Sequence, residues 1–124
     1  MATHWNDSQP IYFQLKERTV AMILDGTLKE GDALPSVRTV AAEMQLNPIT
    51  VSKSYQTLVD EGLVEKRRGL GMFVCVGARK QLIASERDKF VSEEWPATLN
   101  RIEQLGLDAE SLLGELMNKQ KLKT

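Results

Sequence analysis

A chain of 124 residues with one cysteine, Cys75, and one histidine, His4, has almost no thiol or imidazole chemistry to draw on. An intramolecular disulfide is impossible, a cysteine-based metal site has no partners, and a nucleophile cannot be paired with a histidine base beside it. No catalysis, no cofactor and no metal are expected, and a reducing compartment suits the chain. Long apolar runs are missing too. Nothing approaches the ~20 residues that cross a bilayer, and residues 1–10 lack a basic flank followed by an apolar stretch, so the chain reads as cytoplasmic with no membrane partner. An excess of one charge is the third absence: 16 Lys and Arg against 17 Asp and Glu leave a net charge of −1. The strongly basic balance of many nucleic-acid binders is therefore excluded, and any contact with a polyanion must come from local placement. What remains is 42% hydrophobic and 27% charged residues, the make-up of a soluble globular chain of one domain or a domain with an appendage.

Residues 1–77 read as one domain. Pro10 opens a helix over Ile11 to Asp25, with Ile11, Leu15, Met22 and Ile23 at helical spacing and Gly26 as its stop. A polar stretch, Thr27 to Ala33, leads to Ser36, which can cap a short helix whose stripe is Val37, Val40, Ala41 and Met44. That helix ends near Gln45. Asn47-Pro48 is a second start signal, a cap followed by proline at the first helical position, and the helix it opens carries Val51, Tyr55 and Leu58 on one face up to Gly62. Two short helices joined so tightly must cross at a large angle, which is the helix-turn-helix arrangement. Leu63 to Lys66, the Arg67 to Gly71 turn and Met72 to Val76 then read as a hairpin. Residues 78–124 read as all-helical. One helix is expected over Gln81 to Leu105, kinked or interrupted at Pro96, and a last one after Gly106-Leu107-Asp108, fraying from Lys119.

The fold class expected is thus mainly α with a small β-hairpin, an N-terminal winged helix-turn-helix followed by a short helical region. In such a fold the second helix enters the major groove and the wing reaches to phosphates or the minor groove. The start of the Asn47 helix exposes Asn47, Ile49, Thr50, Ser52 and Lys53, while its carboxylates wait until Asp60 and Glu61, which suits a polyanion at the positive end of the helix dipole. The plain alternative is a capped, solvated helix start. Lys66-Arg67-Arg68-Gly69 places cations at a hairpin tip, although a charge run in a turn is more often only solvated. Trp5 and Trp95 could line a pocket or belong to core or interface, and Cys75 between Val74 and Val76 reads as a small packed residue. Mixed charge in the last helices argues against a membrane-surface role.

Leu34-Pro35-Ser36-Val37-Arg38, then Thr39 to Met44, Asn47-Pro48-Ile49-Thr50-Val51, Tyr55, Leu58, Glu61 to Val64, and Arg67-Arg68-Gly69-Leu70-Gly71-Met72-Phe73-Val74 resemble the GntR family of bacterial transcription regulators, over about residues 10–76. The short remainder resembles the YtrA-like subfamily, in which two helices used for dimerisation replace a large effector domain. The resemblance implies DNA contacts from Arg38, from Asn47, Pro48, Ile49, Thr50 and Ser52 or Lys53, and from the wing-tip residues Arg68 and Gly69; Ser36 and Arg67 are expected on the same DNA-binding surface. Ile49 stands where the subfamily often has asparagine, and an apolar side chain there could meet a thymine methyl. The implied function is a homodimeric, sequence-specific regulator, a repressor on an inverted-repeat operator in double-stranded DNA, with transporter operons as frequent targets. The rival is a winged-helix module for protein–protein contact without DNA binding. Leu82, Phe90, Val91, Leu99, Ile102, Leu105, Leu112, Leu113, Leu116 and Met117 are more apolar surface than a few helices can hide, which marks them as the dimer interface. A small-molecule effector, if one acts, is expected between protomers or domains and not in a cavity enclosed by one protomer, because residues 78–124 form too few helices to surround it.

Overall fold

The computed structural model describes residues 5–123, and His4 lies outside them. The chain divides into two compact units, residues 1–84 and 85–124. In the first, α1 (Ile11–Asp25), α2 (Val37–Met44) and α3 (Pro48–Asp60) precede a hairpin of β1 (Val64–Arg67) and β2 (Gly71–Val74). Each helix starts where the sequence placed it. Ser36 Oγ accepts from the Thr39 amide at 3.1 Å, and Asn47 Oδ1 accepts from the Ile49 amide at 2.9 Å. The turn between α2 and α3 runs through Gln45 in the left-handed region (φ 55°), the one non-glycine residue with positive φ among those described. That conformation reverses the chain in so few residues, and an L side chain enters it only at some cost.

The strands pair antiparallel, Val64 opposite Val74 and Arg67 opposite Gly71. The polar stretch before α2 adds to them. Gly31 donates to the Val74 carbonyl at 2.8 Å, Val74 to that of Asp32 at 2.9 Å, and Leu34 to that of Met72 at 2.8 Å, with a bridge between Ala33 and Phe73. The sequence shows this stretch only as polar, because it has no alternating apolar pattern. Backbone pairing along the free edge of β2 shows nothing of itself in side chains.

Leu15 and Ile23 of α1, Val40 of α2, Val51, Tyr55 and Leu58 of α3, and Val64 and Val74 of the strands form one buried core. It extends beyond the hairpin into α4 (Ala78–Lys89), whose Ala78 and Leu82 are 1% and 8% exposed and belong to the same cluster. Leu82 is therefore corrected from dimer interface to core. Leu82, in the second turn of α4, packs into the same buried cluster as residues of α1 and α3, which an apolar tally of the last helices could not reveal. Three bonds fix this turn: the Gly77 amide donates to Glu30 Oε1 at 2.7 Å, Arg79 Nε to the Leu24 carbonyl at 3.1 Å, and Gln81 Nε2 to the Glu61 carbonyl at 3.0 Å. The structural division accordingly falls at Ala84 where the sequence suggested Gly77.

The second unit holds the rest of α4, a π-helical turn at Phe90–Glu94, α5 (Trp95–Leu105) and α6 (Ala109–Leu122). Pro96 explains the π turn. Its ring cannot donate to a carbonyl one turn back and crowds that carbonyl, so the chain widens and Trp95 bonds to the Phe90 carbonyl instead. Gly106 ends α5 in the left-handed region, and α6 stays helical through Leu122, past the point where fraying was expected.

Candidate nucleic-acid interface

The outward face of α3 follows from its burial. Val51, Ser54, Tyr55 and Leu58 point inward, so at roughly 100° per residue Ile49, Ser52, Lys53 and Gln56 form the opposite ridge. No acidic residue lies in the first turn, and Asn47 and Pro48 set its backbone. Asn47 spends its side-chain oxygen on the cap, which leaves the amide NH₂ as its outward donor. Thr50 is partly buried on the flank of the ridge. Lys53 reaches back toward α1, with its ammonium 4.1 Å from the centre of the Tyr12 ring. The charge is thereby held at the edge of the ridge.

Tyr55 links this helix to the segment before α2. Its hydroxyl donates to the Pro35 carbonyl at 2.7 Å, and burial pushes its pKa up to about 12, so it remains a donor at any ordinary pH. Leu34-Pro35-Ser36 is thus pinned to α3, and with it the start of α2. Arg38 is exposed there and shares a shallow depression with Leu46 and Pro48, beside the α3 start.

On the wing, Arg67 and Arg68 differ. Arg67 Nε donates to Glu65 Oε1 at 2.9 Å while its guanidinium lies 4.2 Å over the Phe73 ring, so it is held along the strands. Arg68 and Gly69 occupy the exposed turn, where Gly69 has φ 76° and the Leu70 amide closes on the Arg67 carbonyl at 2.9 Å. Between wing and helices lies a groove of about 480 Å³ bordered by Ser36, Ser52, Gln56, Arg67, Gly69 and Leu70. The structure therefore brings Ser36, Ser52, Arg67 and Gly69 to one groove, and Arg38 and Pro48 to its neighbour. Gln56 and Leu70 were not singled out from sequence. Helical spacing from Ile49 and Ser52 would have found Gln56, whereas Leu70 in a glycine turn gave no chemical signal.

Of the side chains expected at a dimer interface, Ile102 is half-buried, and Phe90, Val91, Leu99, Leu105, Leu112, Leu113, Leu116 and Met117 are exposed. Phe90 stacks on Trp95 with ring centroids 6.5 Å apart. An open apolar groove of about 420 Å³ runs between α5 and α6, bordered by Trp95, Leu99, Ile102, Leu112 and Leu116. Trp5 belongs elsewhere, packed against the core of the first unit with Arg18 4.1 Å over its ring. Cys75 also packs against that core, and burial raises its thiol pKa with help from Glu65, the reverse of what a nucleophile needs. Among the described residues no helix is long and apolar enough to cross a membrane.

Comparison with known proteins matches residues 11–74 to the family model described as bacterial regulatory proteins, gntR family. Over 113 residues the chain is 32% identical to the uncharacterized HTH-type transcriptional regulator YhcF of Bacillus subtilis (strain 168), which spans 91% of this chain and 92% of that protein. It is 34% identical over 105 residues to the HTH-type transcriptional repressor YtrA of the same organism, spanning 85% of this chain and 80% of that one. Among solved structures, a transcriptional regulator of the GntR family from Bacteroides thetaiotaomicron is 30% identical with a TM-score of 0.67, covering 92% of this chain and 99% of its own.

Proposed function

The chain belongs to the GntR family of bacterial regulatory proteins, and from that premise we propose that it acts as a homodimeric repressor, one winged helix-turn-helix on each half of an inverted-repeat operator. It is a DNA-binding transcription regulator, as its family and its relative YtrA are. The observation that supports the DNA-contacting surface is the groove shared by the α3 ridge and the wing. A helix without carboxylates at its start, and a cationic turn beside it, present donors and positive potential on one side of a chain that is neutral overall. Arg38, the α3 start and Arg68 are the residues assigned to DNA. A carboxylate near Asn47, or a wing tip without arginine, would have favoured the protein–protein reading.

Repression is supported by the relative YtrA, which is named a transcriptional repressor. Any small-molecule effector is assigned to a site between protomers, because the α5–α6 groove is open on its own and a second copy would supply the missing wall. Footprinting on the intergenic DNA upstream of the gene tests the assignment, followed by a mobility-shift titration of Arg38→Ala. Loss of one charge-assisted contact in each half-site should cost about 1–3 kcal/mol per half-site, with normal circular dichroism. Unchanged affinity removes Arg38 from the interface, and no protected sequence at all removes the operator.

A further inference from the structure

Ile49 keeps 75% of its surface in solvent, and the fold makes little use of it. It lies in the first turn of α3 on the ridge opposite the buried face, where its companions Ser52, Lys53, Gln56 and Asp60 are all polar. A single apolar side chain in such a row is no patch for a protein partner. Resting on the DNA-binding reading, we propose that Ile49 is a specificity-determining residue that reads the C5-methyl group of one thymine per half-site in the major groove.

The chemistry of the groove leaves it that one target. An isoleucine side chain neither donates nor accepts a hydrogen bond, and of the base edges that face the major groove only thymine presents an apolar group. Against guanine, adenine or cytosine it would strip water from polar atoms and return nothing, so it discriminates by penalty as well as by contact. The backbone beneath it is fixed by the Asn47 cap and by Pro48. Its branched Cβ leaves essentially one χ1 rotamer in a helix, so little side-chain freedom is lost when it docks. Asn47 and Ser52 on either side supply the polar reach to neighbouring bases and phosphates.

The test uses the full chain and a duplex it enriches from a random-sequence pool, with each thymine replaced in turn by deoxyuridine, which deletes only the methyl group. At one symmetry-related pair of positions the wild-type protein should lose roughly fourfold in affinity per half-site, about fifteenfold for both, the size expected for one buried methyl. Ile49→Ala should be insensitive at that pair and keep any sensitivity elsewhere, while Ile49→Val should retain most of the effect. Wild-type protein indifferent to the methyl at every thymine overturns the proposal, and so does a methyl effect that persists undiminished in Ile49→Ala. The wild-type arm stands whatever the variants do. A chain that enriches no duplex overturns the DNA-binding reading itself, and that outcome is distinct from a tight duplex whose methyl groups do not matter.

Discussion

Two adjacent arginines on the wing have the same charge and different surroundings, and the difference sets which of them is proposed to meet the phosphate backbone. Arg67 is committed to Glu65 and to the face of Phe73, so freeing it for DNA would break both contacts. Arg68 stands in the exposed turn. Each phosphate neutralised contributes ~0.9 to the slope of log affinity against log salt, so Arg68→Ala in a dimer with two wings should lower that slope by about two, while Arg67→Ala leaves it nearly unchanged. Equal effects would show that the Glu65 pair opens on binding. Sequence showed the cluster but not this division, since an ion pair across two residues of a strand and an aromatic face from the opposite strand depend on register. Tyr55 is a parallel case: its apolar spacing was legible, its hydroxyl bond to Pro35 was not. Because burial raises the phenol from 10.0 to about 12, the folded state holds a proton that the unfolded state has lost between those values. Stability from this group is thus complete below about pH 10 and lost as pH rises toward 12. Tyr55→Phe should be less stable near neutral pH by about 1 kcal/mol, through the unpaired Pro35 carbonyl, and should lack this share of the alkaline decline in thermal melts. An alkaline decline identical in both proteins would assign it to other groups.

At the level of elements, what was legible had local causes. Ser36 and Asn47-Pro48 announce helix starts through bonds made within the next three residues, and the structure makes those bonds. Gly26, Gly62 and Gly106 each take positive φ at or just past a helix end, as their place in the sequence suggested. Elements whose form depends on distant partners were read less well. The strand-like pairing of residues 31–34 needs β2, and the attachment of α4 needs the core built by α1, α3 and the strands. Burial of Leu82 in the core of the first unit has a measurable consequence. A fragment of residues 1–77 loses Ala78 and Leu82 from the core together with the bonds from Arg79 and Gln81, whereas residues 1–84 keep them. Removing a buried leucine alone costs about 2–5 kcal/mol. At ~4–8 °C per kcal/mol for a domain of this size, the shorter fragment should melt at least ~10 °C below the longer one. Equal melting temperatures would mean that Leu82 contributes nothing to the first unit and would return it to the interface.

For the whole molecule the question is why a chain with so little net charge should bind DNA tightly, and the answer proposed is a second copy. One reading helix with a few phosphate contacts gives modest affinity on its own, and a net charge of −1 supplies no general attraction. Two such units on one duplex multiply, because the second half-site binds at high effective concentration once the first is held. The exposed apolar side chains of the second unit, from Phe90 and Leu99 to Leu112, Leu116 and Met117, are what a two-fold partner would cover. Such a pairing calls for half-sites centred about 34 Å apart or a further DNA turn away. The fragment 1–84 should therefore be a folded monomer by light scattering, and its operator affinity should fall by roughly 10²–10⁴-fold relative to the full chain. A charge introduced into this exposed apolar face, Leu116→Glu, should produce the same two effects in the intact chain without unfolding the first unit. A fragment that stays dimeric with full affinity would move the interface into residues 1–84. A monomeric fragment with undiminished affinity would instead remove the dimer from the account of binding, leaving the apolar face of α5 and α6 to some other partner.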